Sequence, residues 1–111
     1  MPHYMLRWSW KDTAIKAMTD QPQDREGPAR QVIESFGGKL VAYYFMLGRH
    51  DGLAITEFPD TVSATAASMR VGGSGAFDSF ETISLLTSAE AMSAMRKVKD
   101  AGGTNYRPPG G

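Results

Sequence analysis

The order of hydrophobic periodicities along this chain predicts an α+β domain: one four-stranded antiparallel sheet with helices on one face. Three observations carry that prediction. The chain opens on a period-2 segment, a turn-rich pentapeptide joins two apolar runs near its middle, and helical spacings fill the intervals between the strands. Its 111 residues suit one domain. With 41% hydrophobic and 22% charged residues it falls in the globular range, which argues against a collagen, a coiled coil or a disordered chain.

In Tyr4 to Trp10, the residues Tyr4, Leu6, Trp8 and Trp10 share one parity and Met5, Arg7 and Ser9 the other, as in a strand. Asp12 then stands where it can cap a short helix with Ala14, Ile15 and Met18 on one side, interrupted at Asp20-Gln21-Pro22. A second helical piece starts near Pro28, whose missing N–H is harmless in a first turn. It places Ala29, Val32, Ile33 and Phe36 at i, i+3, i+4 and i+7. Gly37-Gly38 ends it, one of the two glycines taking the left-handed conformation beyond the cap.

Leu40 to Leu47 is apolar on both parities, so this strand is expected to be covered on both faces. Gly48-Arg49-His50-Asp51-Gly52 has turn composition, and Leu53 to Phe58 reads as the returning strand of a hairpin. Asp60 caps a helix carrying Val62, Ala66 and Met69, with Ala64 and Ala67 beside them, stopped by Gly72-Gly73. Ala76 to Leu86 forms the last strand, with Phe77, Ile83 and Leu85 on one parity and Phe80 and Leu86 on the other. Thr87-Ser88-Ala89-Glu90 is a capping box opening a helix to about Ala101, with Met92, Met95 and Val98 as its packing stripe. The domain therefore spans 1–101, and the Gly/Pro-rich residues 102–111 read as a flexible tail.

The resulting order, β-α-β-β-α-β plus a terminal helix, is the ferredoxin-like split βαβ arrangement. Its helices leave one sheet face bare. Whichever parity points inward, the second strand exposes either Val41, Tyr43, Phe45 and Leu47 or Ala42, Tyr44 and Met46. Soluble monomers rarely expose such a patch, and an identical sheet would bury it, so a homodimer with a barrel-like core is expected, a larger oligomer remaining open.

Composition narrows the chemistry. Twelve Lys+Arg balance twelve Asp+Glu, so no overall electrostatic pull toward nucleic acid or acidic lipid is expected. No run approaches ~18 apolar residues, so no membrane span and a cytoplasmic location are expected. With no cysteine, disulfides, Fe–S clusters, thiolate zinc sites and a cysteine nucleophile are excluded. The two histidines, His3 and His50, fit no metal-ligand spacing, and neither a metal nor a cofactor is expected. Gly72-Gly73-Ser74-Gly75 follows a helix and lacks the Lys-Ser/Thr of a phosphate-cradling loop, so it reads as a turn.

Gly48-Arg49-His50-Asp51, an apolar strand and then Glu57-Phe58-Pro59-Asp60 resemble the GYD domain family, whose pattern is roughly Gly-x-Tyr-Asp, a hydrophobic strand, then Glu-x-Pro-Asp. The resemblance extends upstream to Gly37-Gly38-Lys39 and downstream to Gly75, covering about residues 3 to 87. His50 stands where the family pattern has Tyr, and Asp78 where a basic or neutral polar residue is expected. The resemblance implies a ferredoxin-like, dimeric α+β barrel domain found mostly in bacteria, and implies no settled biochemical activity.

His50, Asp51, Arg7 and Tyr43 are the candidate catalytic residues. An imidazole beside a carboxylate can act as a general base, but neighbours in extended structure point to opposite faces, so His50 and Asp51 converge only in an irregular turn. The structural alternative has Asp51 bonding turn amides while Gly48 and Gly52 supply unusual dihedrals. Arg7 must reach the rim, pair with an acid such as Glu57 or Glu81, or hold an anion. Trp8, Trp10, Tyr43, Tyr44 and Phe45 form core or interface, or line a cavity for an aromatic or haem-like ligand. The expected function is a ligand-binding or interaction module, the alternative a cofactor-independent enzyme resembling small α+β barrel monooxygenases, with a pocket between sheet and helices.

Overall fold

The computed structural model describes residues 1–103 and 105–110. Thr104 and Gly111, within the expected tail, lie outside the described residues. Four strands and four helices follow in the order β1 (His3–Trp10), α1 (Asp12–Asp20), α2 (Glu26–Ser35), β2 (Lys39–Phe45), β3 (Gly52–Glu57), α3 (Thr61–Gly72), β4 (Phe77–Leu85) and α4 (Ser88–Ala101). The strands form one antiparallel sheet in the order β2-β3-β1-β4, the ferredoxin-like topology. No helix among the described residues is long and apolar enough to cross a membrane.

Alternation in β1 governs the two faces. Tyr4, Leu6, Trp8 and Trp10 are buried beneath the helices together with Ala54, Thr56 and Phe58 from β3 and its end. Thr56 is fully buried, and its hydroxyl donates to the Tyr4 carbonyl at 3.1 Å, so this buried hydroxyl is satisfied. Ile33 of α2 and Ala64 and Ala67 of α3 close the layer from above.

Two bulges reset the parity. In β2, Leu40 pairs with Thr56 and Ala42 with Ile55, leaving Val41 as the extra residue, so Leu40, Tyr43 and Phe45 all fall on the helix side. In β4, Ser79 pairs with Ser9 but Phe77 with Trp10; Asp78 is extra, and Phe77 joins Phe80 beneath the helices. The expected division of β4, with Phe77 on the side of Ile83 and Leu85, is thus corrected by one inserted residue. Strict alternation in β2 fails for the same reason.

The helix ends follow local chemistry. At the end of α2, Gly37 has φ +78°, its N–H reaches the Glu34 carbonyl and the Gly38 N–H reaches that of Ile33, a Schellman motif. Asp60 accepts from the Ser63 N–H at 2.8 Å, and the Thr87/Glu90 capping box is complete. The N-cap of α1 is Lys11, without a side-chain bond, and Asp12 lies in the first turn instead. Helix α2 begins at Glu26, two residues before Pro28, because the Asp24 carboxylate takes the N–H groups of Glu26 and Gly27.

Two expected stripes are corrected. In α3 the small Ala64 and Ala67 face the sheet while Val62 and Met69 are exposed, since alanines let the helix approach closely. In α4 Met92, Met95 and Val98 are exposed rather than packed within the protomer.

Candidate functional site

The sheet separates two constellations. On the helix side lies a cavity of about 250 Å³, floored by Leu6, Trp8, Trp10 and Tyr43, walled by Phe77 and Phe80, and roofed by Ala29, Val32 and Ala67. Its aromatics form a connected cluster: Trp10 stacks on Phe77 at 4.8 Å, Trp8 lies parallel to Phe80 at 6.3 Å, and Tyr43 tilts against Trp8 at 5.5 Å. Among the described residues, the indole N–H groups of Trp8 and Trp10 are buried without a hydrogen-bond partner. A buried unpaired donor costs about 1–3 kcal/mol.

Trp8 occupies its place because Gly52 faces it across β1 and β3. A Cβ at position 52 would stand 2.5 Å from the indole carbons. Gly52 therefore serves by lacking a side chain, correcting the expectation of an unusual dihedral; Gly48, with φ +120°, meets that expectation.

Polar groups are few in the cavity wall. Arg25, just before α2, and Arg70, in the last turn of α3, are its charged members, joined by Ser74 and the Tyr43 hydroxyl. Burial pushes the Tyr43 hydroxyl up to about 12, against the opposing pull of Arg25, so it stays protonated near neutral pH and can only donate or accept hydrogen bonds there.

The second constellation is on the open face. Arg7 Nη2 contacts both oxygens of Glu81, at 3.0 and 3.3 Å, and His50 Nε2 lies 4.0 Å from Glu81 Oε1. At the far end of the same face His3 Nε2 is 3.2 Å from Glu57. Between them an apolar row crosses all four strands in register: Ala42, Ile55, Met5 and Ile83.

The four candidate residues do not meet. Arg7 and His50 stand together beside Glu81 on the open face, and Tyr43 lies in the cavity on the other side of the sheet. Asp51 points away from His50: its carboxylate accepts the Trp10 N–H at 2.9 Å, an amide in the irregular stretch where β4 bulges. Asp51 thus ties the hairpin to β1 rather than bonding amides of its own turn. Of the aromatics singled out in the sequence, Trp8, Trp10 and Tyr43 line the cavity and Tyr44 is on the exposed side. Sequence reasoning missed Arg25 and Arg70. The signal for Arg70 was its place three residues after the buried Ala67, on the same helix face.

A ferredoxin-like sheet with an aromatic cavity beneath its helices and an apolar row on its open face defines the class: a small α+β domain of the split βαβ type. The GYD domain profile matches residues 4–95, and the chain belongs to that family. A comparison with curated proteins found no match. Among solved structures, the crystal structure of MtbAldR (Rv2779c) is similar in fold, with a TM-score of 0.51 and 17% identity. The similarity covers 78% of this chain and 52% of that one, so the chain spans about half the length of that relative.

Proposed function

We propose that this GYD domain is a homodimeric binding module that takes a small ligand in the cavity between sheet and helices. The observation that carries the reading is the cavity itself. Its roughly 250 Å³ lies just below the ~300–1,000 Å³ of sites for drug-sized ligands, and a dry hole of ~150 Å³ already holds benzene, so a ligand of one or two rings is the appropriate size. Binding is favoured over acid–base catalysis because, among the described residues, no carboxylate and no imidazole lines the cavity. The Tyr43 hydroxyl, pushed up to about 12 by burial, is no base near neutral pH, and a guanidinium only donates hydrogen bonds.

The dimer rests on the other face. The in-register row of Ala42, Ile55, Met5 and Ile83, bordered by the Arg7–Glu81 and His3–Glu57 pairs, presents an apolar centre with charged edges, the composition of a self-complementary interface.

A panel of one- and two-ring compounds, screened by thermal shift and calorimetry, tests the cavity reading. Stabilisation by at least one compound is expected, and Ala29→Phe, which puts a ring into the cavity, abolishes it. Binding that survives Ala29→Phe unchanged contradicts the assignment.

A further inference from the structure

Resting on the cavity reading, we infer that the ligand is an aromatic carboxylic acid, its ring held among Trp8, Phe77 and Phe80 and its carboxylate met by Arg25 and Arg70. The two arginines line the cavity from different elements, one ahead of α2 and one from the end of α3. Among the described residues neither is in an ion pair. Arg25 has acids on both sides in sequence, yet both are committed elsewhere. Asp24 caps α2 through the N–H groups of Glu26 and Gly27, and Glu26 pairs with Arg30 at 2.8 Å. Arg25 itself donates to the neutral Gln23 amide at 3.0 Å. Arg70 lies over the Phe36 ring at 5.8 Å, a contact that leaves its charge unneutralised.

Two arginines outside any ion pair among the described residues thus border an apolar cavity, the Asp24 and Glu26 carboxylates beside Arg25 acting at longer range. Guanidiniums match carboxylates with planar, paired hydrogen bonds, and the apolar rings beside them suit the ring of such an acid. Tyr43, a neutral phenol near neutral pH, adds a donor on the same wall. A neutral aromatic compound would fill the cavity equally well and leave both cations unused.

Calorimetry with matched probes tests the inference: benzoate, 2-naphthoate and indole-3-acetate against their primary amides, on the wild-type chain and on Arg25→Met and Arg70→Met. The best acid is expected to bind at least about tenfold more tightly than its amide, with each substitution weakening the acid about tenfold and leaving the amide unchanged. Acid and amide binding alike overturns the carboxylate assignment and leaves the cavity reading standing. So does equal weakening of both probes by the substitutions, which marks the arginines as structural. If no acid and no amide binds, and neither indole N–H signal moves in the NMR spectrum, the cavity reading fails as well.

Discussion

Three single residues fix how the sheet, the hairpin and the cavity fit together. Gly52 leaves room for the Trp8 indole, so Gly52→Ala drives a methyl into a ring that cannot yield. A loss of about 1–3 kcal/mol in a denaturant melt is expected, as for overpacked cores generally. Asp51 accepts the Trp10 amide, and Asp51→Ala leaves that N–H unpaired, at a cost of about 1–3 kcal/mol. An Asp51→Ala variant as stable as the wild type would contradict this structural role. For Tyr43 the sign of the pH effect follows from its raised value. Between about pH 10, where an unfolded tyrosine ionises, and about pH 12, the native chain holds the extra proton, so stability falls as pH rises through that window. Denaturation midpoints of wild type and Tyr43→Phe should therefore converge below pH 10 in their pH dependence and diverge above it, the wild type falling more steeply.

Elements differed in how far the sequence disclosed them. The β1 alternation, the Asp60 cap, the Thr87/Glu90 capping box and the Gly37-Gly38 stop are local signals, written in adjacent residues, and they appear in the structure where the sequence puts them. The bulges at Val41 and Asp78 are not local: each depends on how two distant strands come into register, and together they bring Phe77 and Tyr43 into the cavity. For that reason the sequence disclosed the aromatic content of the site and not its membership. His50 and Asp51, adjacent in sequence, proved to face apart, while Arg25 and Arg70, 45 positions from each other, border one cavity. The α2 stop makes a clean test at this scale. Gly37→Ala places a Cβ at φ +78° and within 3.3 Å of the Pro59 ring, so a destabilisation of about 1 kcal/mol or more is expected in thermal unfolding.

At the scale of the molecule, the account assigns one sheet face to a ligand and the other to a second copy of the chain. Light scattering after gel filtration should return twice the 12.1 kDa of a single chain, and Ile55→Glu, which sets a charge at the middle of the apolar row, should return the single mass. An unchanged dimer in that variant moves the interface to another surface. The exposed stripe of Met92, Met95 and Val98 on α4 is one such surface. The division of labour between the two faces is the central claim, and an amide and indole chemical-shift map of the chain titrated with 2-naphthoate tests it most directly. The account predicts shifts at the two indole N–H groups and around Ala29, Tyr43 and Ala67, with Arg7, His50 and Glu81 undisturbed. Shifts centred on Arg7, His50 and Glu81, with still indole signals, would place the ligand on the open face and contradict it.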